Sequence, residues 1–115
     1  MLNIESIAKA LRVFSEERDW DQFHTPKNLA TALSIEASEL LEIYQWSRGQ
    51  NWSELDNPKL KAATQEEIAD ILIYLIRFSD MAGIDLQSAV EKKLVSNAEK
   101  YPIDLFKGSD RKYKE

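Results

Sequence analysis

The chain has 115 residues, no cysteine and a single histidine, His24. The first absence excludes disulfides, zinc–thiolate sites and thiol nucleophiles. The second excludes multi-histidine metal centres. Glycine and proline occur three times each, so few residues break regular structure. There is no basic excess. The formal net charge is −5, whereas a nucleic-acid backbone wants a basic face, so no nucleic-acid partner is expected. The longest apolar stretch, Ile71 to Ile76, is far too short to span a bilayer, and no membrane partner is expected. The start Met1-Leu2-Asn3-Ile4-Glu5 lacks the basic residues and apolar run of a signal peptide. A cytoplasmic protein with one modest core is the expectation.

What is present is helical periodicity. Ile4, Ile7, Ala8, Leu11 and Phe14 form one stripe, which predicts a first helix from about Asn3 to Arg18. An aromatic loop follows, Asp19-Trp20-Asp21-Gln22-Phe23-His24. Thr25 then Pro26 read as N-cap and N1 of a second helix. That helix carries Leu29, Leu33, Glu36, Leu40 and Ile43 and is predicted to end near Ser47-Arg48-Gly49. Residues 50–58 are polar and read as a loop. A third helix is predicted from Lys59 or Thr64 to about Met81, with Thr64 and Glu67 fitting a capping box. Gly83 closes it. Asp85 caps a fourth helix that runs to Glu99 or Lys100, before Tyr101-Pro102. No β-alternation of useful length occurs. The fold class is therefore all-α, a four- to five-helix bundle. Residues 1–106 are expected to form the domain, and 107–115 a charged, mobile tail. From Ile68 to Ile76 the third helix is apolar on nearly every side. A helix greasy all round should be buried all round. A four-helix monomer of this size does not easily surround one, so a homodimer or homotetramer is expected.

Two acidic pairs sit inside greasy segments: Glu36 with Glu39, and Glu67 with Asp70. An i,i+3 spacing puts both members of a pair on one helix face. Antiparallel packing of the two helices would bring four carboxylates together. Alone they repel, and each is pushed toward its protonated form. A hard divalent cation relieves both problems. Ligands that are all oxygen point to Mg²⁺, with Mn²⁺ or Ca²⁺ as alternatives. The bland reading is a solvated acidic ridge, since Glu42 extends the first row. Asp70, bounded by Ile68, Ala69, Ile71 and Leu72, argues against it. Diiron bundles also use paired helical carboxylates, but they need Glu-x-x-His on two helices, which His24 alone does not supply.

Two further groups accompany the acids. Lys93, Asn97 and Lys100 share one face of the fourth helix at i, i+4 and i+7, suited to phosphate oxygens or simply solvated. Trp20, Phe23 and His24 offer stacking surfaces for a nucleobase, or a plug for the end of the bundle. Trp46 and Tyr74 carry the same two readings. Ser34, Ser38 and Ser79 have no base nearby in sequence and read as packing or capping residues.

Taken together, Glu36-x-x-Glu39 and Glu67-x-x-Asp70 resemble the metal signature of the MazG-like all-α nucleoside triphosphate pyrophosphohydrolases. The segment from Glu17 to Leu29, Gln45-Trp46, Asp70 to Leu75, and Lys93-x-x-x-Asn97-x-x-Lys100-Tyr101-Pro102 are similar to the dCTP pyrophosphatase branch of that family. The resemblance spans roughly Leu11 to Pro102. It implies hydrolysis of a (deoxy)nucleoside triphosphate, dCTP or a related pyrimidine, to the monophosphate and pyrophosphate, as in nucleotide-pool sanitation. It implies Mg²⁺ on Glu36, Glu39, Glu67 and Asp70, and Lys93 offsetting phosphate charge with these acids in catalysis. Asn97 and Lys100 would bind phosphate or sugar, and Trp20, His24, Trp46 and Tyr74 the base. The wider family often places a glutamate where Ile35 stands, which leaves Glu66, beside Glu67, as a remaining acid for the water. The competing readings are a non-catalytic helical oligomerisation module with a vestigial metal site, and a phosphohydrolase that releases orthophosphate.

Overall fold

The computed structural model describes residues 1–49 and 51–112. These residues form five α-helices and two short 3₁₀ segments, with no strand among them. The chain divides into two compact units, Met1–Gly83 and Ile84–Glu115.

In the first unit, α1 spans Ile4–Glu17, α2 spans Pro26–Ile43 and α3 spans Pro58–Ala82. Asn3 caps α1, its side chain accepting from the Ser6 amide at 2.9 Å. Thr25 caps α2 through the Asn28 amide, with Pro26 in the first turn. The sequence predicted both starts. The stripe on α1 holds at Ala8, which is buried, and at Ile4, Ile7 and Leu11, which are half-buried; it differs at Ser15, which is buried, and at Phe14, which is exposed and packs edge-on to Trp20. Arg12 ties α1 to α3 through Asp80 at 2.9 Å.

Three predicted boundaries are corrected. Helix α2 ends at Ile43, not near Ser47. The Tyr44 amide turns back to the Leu41 carbonyl and the Ser47 amide to that of Tyr44, so tight turns replace the last helical turn. The stretch read as loop holds a 3₁₀ segment, Trp52–Asp56. Thr64 is not a cap. It lies buried inside α3, and its hydroxyl donates to the Leu60 carbonyl at 2.8 Å. The N-cap is Asn57, followed by Pro58, the same chemistry as Thr25-Pro26.

Helix α3 packs on both α1 and α2 and is the centre of this unit. Its Ile76 is almost fully buried, together with Leu29 of α2 and Ala8 of α1. The expected burial on every side is not met within one chain: Ile68 is 54% exposed and Leu75 38%. Gly83 ends α3 with φ +69°, a left-handed conformation that any side chain would strain.

In the second unit, α4 spans Leu86–Lys100 and α5 spans Ile103–Phe106. Asp85 caps α4 by accepting from the Ser88 amide at 3.0 Å, as predicted. Tyr101 and Phe106 pack edge to face. The segment after Lys107 is held at Arg111, whose guanidinium lies over the Phe106 ring and donates to the Leu105 carbonyl. The rest of the predicted tail, residues 113–115, lies outside the described residues. Among the described residues, no helix is long and apolar enough to cross a membrane.

Candidate active site

Helices α2 and α3 run antiparallel. The Tyr44 hydroxyl, just past the end of α2, meets Thr64 near the start of α3 at 2.6 Å. Thr64 already donates to Leu60, so Tyr44 is the donor. One to two turns further along α3, three carboxylates converge. Glu36, Glu67 and Asp70 each offer an oxygen, and these atoms all lie within 4.8 Å of one another.

Glu36 Oε2 and Glu67 Oε2 are buried and have no hydrogen-bond partner. Ionised carboxylates only accept hydrogen bonds, so the group cannot satisfy itself without a proton or a cation. Burial, then the adjacent Glu67 carboxyl, then the charge of Glu39 push the Glu36 carboxyl up from about 4.5 to about 7. Burial also raises Glu67, and the adjacent Glu36 carboxyl partly opposes it. The two carboxyls titrate as a pair, and both are held above the ordinary carboxylate range. Oxygen donors at this separation, with orphaned lone pairs, suit a hard divalent cation.

The acidic row of α2 splits in two. Glu36 is half-buried in the cluster. Glu39 is exposed and stands outside the three-carboxylate convergence, close enough to raise both Glu36 and Glu67. Glu42 is exposed, as a solvated ridge would have it. Glu66 is exposed, and one helical step turns it about 100° from Glu67. Ile35 is 53% exposed.

Seven residues along α3 from Asp70, two turns further on, a second charged site appears. Arg77 is 5% exposed. Its Nε donates to His24 Nδ1 at 3.0 Å, and its Nη2 donates to Asp21 Oδ1 at 2.7 Å. The aromatic loop is thus fastened to α3. It contains a 3₁₀ segment, Asp21–Phe23, entered through Asp19 at φ +54°. Burial, then the Arg77 charge, lower the His24 pKa, and Asp21 partly opposes them. Trp20 and Phe23 remain exposed, and Tyr74 is half-buried between Asp70 and Arg77 along α3.

A cleft of about 690 Å³ opens between the end of α2, the second 3₁₀ segment and the start of α3. Leu40, Leu41, Tyr44, Trp52 and Leu55 line it, with Ala37 and Ile68, the sequence neighbours of Glu36 and Glu67. Trp46 is 89% exposed and is not among its lining residues. Lys93, Asn97 and Lys100 lie on α4 in the second unit. Lys93 and Asn97 are exposed, and the Asn97 carbonyl accepts from the Tyr101 amide.

The MazG-like family model matches residues 31–115. This chain belongs to the MazG-like family. The family match spans both acidic pairs of the MazG-like chain but begins after the aromatic loop. Curated relatives span that loop as well. The dCTP pyrophosphatase 1 of Homo sapiens is 42% identical over 97% of this chain, and that of Bos taurus 43% identical over 96%. The chain spans only 66% of the length of either relative. A crystal structure of a pyrophosphatase from Archaeoglobus fulgidus superposes with a TM-score of 0.80 at 43% identity, over 89% of this chain and 94% of that one.

Sequence reasoning missed two elements. Arg77 was signalled by a lone guanidinium inside Leu75-Ile76-Arg77-Phe78, in phase with Asp70 seven residues before it. Trp52 carried no such signal, because its loop lacks helical phase.

Proposed function

We propose that this chain hydrolyses a (deoxy)nucleoside triphosphate, dCTP or a related pyrimidine, to the monophosphate and pyrophosphate, with residues 1–106 as the pyrophosphohydrolase domain. The observation that carries the reading is the pair of buried, unpartnered oxygens on Glu36 and Glu67 beside Asp70. The similarity to dCTP pyrophosphatases supports the choice of reaction.

Glu36, Glu67 and Asp70 would hold Mg²⁺, or Mn²⁺, with Glu39 alongside. When bound, the cation neutralises phosphate charge and polarises the phosphorus under attack. Water attacks the α-phosphorus, and the bond from that phosphorus to the bridging oxygen of the leaving pyrophosphate breaks. Glu39, near enough for its charge to raise both Glu36 and Glu67, orients this water and takes its proton, whereas Glu66 is turned from the cluster. Lys93 and Lys100 offset charge on the phosphates, and Asn97 hydrogen-bonds phosphate or sugar. Trp20, His24, Trp46 and Tyr74 shape the base pocket. The active form is a homo-oligomer, because the apolar surface at Ile68, Ile73 and Leu75 stays open in one chain.

The test is a panel of nucleoside triphosphates incubated with Mg²⁺ and the products separated by ion exchange. Deoxynucleoside monophosphate plus pyrophosphate is expected. Absence of turnover for every nucleotide would leave the non-catalytic module, and orthophosphate as first product would overturn the cleavage position.

A further inference from the structure

The Arg77 clamp has a consequence for His24 that its place in a base pocket does not require. A guanidinium cannot give up its protons in a protein and offers donors only. His24 Nδ1 lies 3.0 Å from Arg77 Nε, so Nδ1 must accept and cannot bear hydrogen. The neutral ring then carries its one proton on Nε2. A doubly protonated ring would set two N–H groups, and two positive charges, against each other. The second arm, from Arg77 to Asp21, keeps the guanidinium plane fixed, because its two donors leave the same rigid fork. The two arms grip residues on either side of the 3₁₀ segment Asp21–Phe23.

We infer that Arg77 is a positioning residue that fixes His24 as a neutral Nε2–H donor and holds the Trp20–His24 loop against α3. This rests on the proposed nucleotide reading, in which His24 meets the substrate. It adds that the group His24 recognises is a hydrogen-bond acceptor on the nucleotide. A ring Nε2–H with its other nitrogen engaged has no acceptor left to offer a donor.

His24 is the sole histidine, so its two ring nitrogens give unambiguous signals in a long-range ¹H–¹⁵N spectrum of the labelled full-length protein. The wild type should show protonated Nε2 and bare Nδ1 at pH 7. Arg77→Met removes both donors and should give mixed tautomers, raise KM roughly fivefold to tenfold and change kcat and the Mg²⁺ dependence little. Arg77→Lys, a second variant in case the first folds poorly, keeps the charge but not the fork and should also lose the single tautomer. Asp21→Asn keeps an acceptor for Nη2 and should retain both the tautomer and KM. A wild-type ring protonated on Nδ1, or tautomers unchanged in Arg77→Met, would overturn the clamp. Lost tautomer with unchanged KM would overturn its positioning role. If the wild type turned over no nucleotide, the functional reading would fall and the spectrum would still decide the tautomer.

Discussion

Two places on α3 bury charge, and they solve the problem in opposite ways. At Arg77 one buried guanidinium meets the Asp21 carboxylate and the His24 ring lone pair, so its charge and two of its donors are answered within the chain. At Glu67 the neighbour across the helix pair is another acid, Glu36, with Asp70 exposed beside them, and one buried oxygen on each glutamate has no partner. Burying a charge without compensation is costly. A site matched within the chain is scaffold, fixing the loop to the helix. The site left unmatched within the chain is the one proposed to take a cation. One helix carries both, which puts the loop anchor and the proposed cation site on one support.

The widest contrast should come from removing one member of each. Asp70→Asn is expected to lower kcat/KM roughly a hundredfold or more, with an unchanged far-ultraviolet circular dichroism spectrum. Retained activity in that variant would dissolve the contrast. Arg77→Met should instead cost about 1–3 kcal/mol of stability in denaturant unfolding. The cost is moderated because Asp21 is about half-exposed and re-solvates.

The acid site should also respond to pH in a way the clamp does not. Glu36 holds its proton more tightly folded than unfolded, with a pKa of about 7 against about 4.5. The folded state thus binds more protons across this window, and stability falls as pH rises through it. Thermal unfolding in EDTA should show a Tm lower at pH 8 than at pH 5, after correction against Glu36→Gln. Added Mg²⁺ should raise Tm at pH 8 and do little at pH 5. The smallest effect is expected at the end of the helix pair. Tyr44→Phe deletes the hydrogen bond to Thr64 and should cost about 1 kcal/mol by denaturant titration.

The sequence made much of this legible where the signal was local. Thr25-Pro26, Gly83 and Asp85 act through their own backbone chemistry, and each stands where it was read. Of the two acidic pairs, Glu36, Glu67 and Asp70 converge, but Asp70 is exposed, as are Ile68 and Ala69 beside it, so the apolar run around Asp70 did not signal its burial. The failures share a different cause. Thr-x-x-Glu at 64–67 satisfies the capping pattern inside a helix as well as at its start, and Asn57-Pro58 decided the matter earlier. Helix α2 stops at Ile43 without a glycine or proline to announce it, because its end is set by turns around Tyr44. The choice among Glu36, Glu39 and Glu42 was beyond sequence. All three share one row, and only packing against α3 decides which turns inward. Arg77 paired with Asp21 and His24 across more than fifty positions, a contact that no local pattern encodes.

The central claim is that the unmatched acids are a cation-dependent nucleotide site. It is tested most directly by incubating the full chain with dCTP in Mg²⁺ and in EDTA, then identifying the products. The account predicts dCMP and pyrophosphate in Mg²⁺ and no turnover in EDTA. Equal turnover in both conditions, or none with any nucleoside triphosphate, would contradict it.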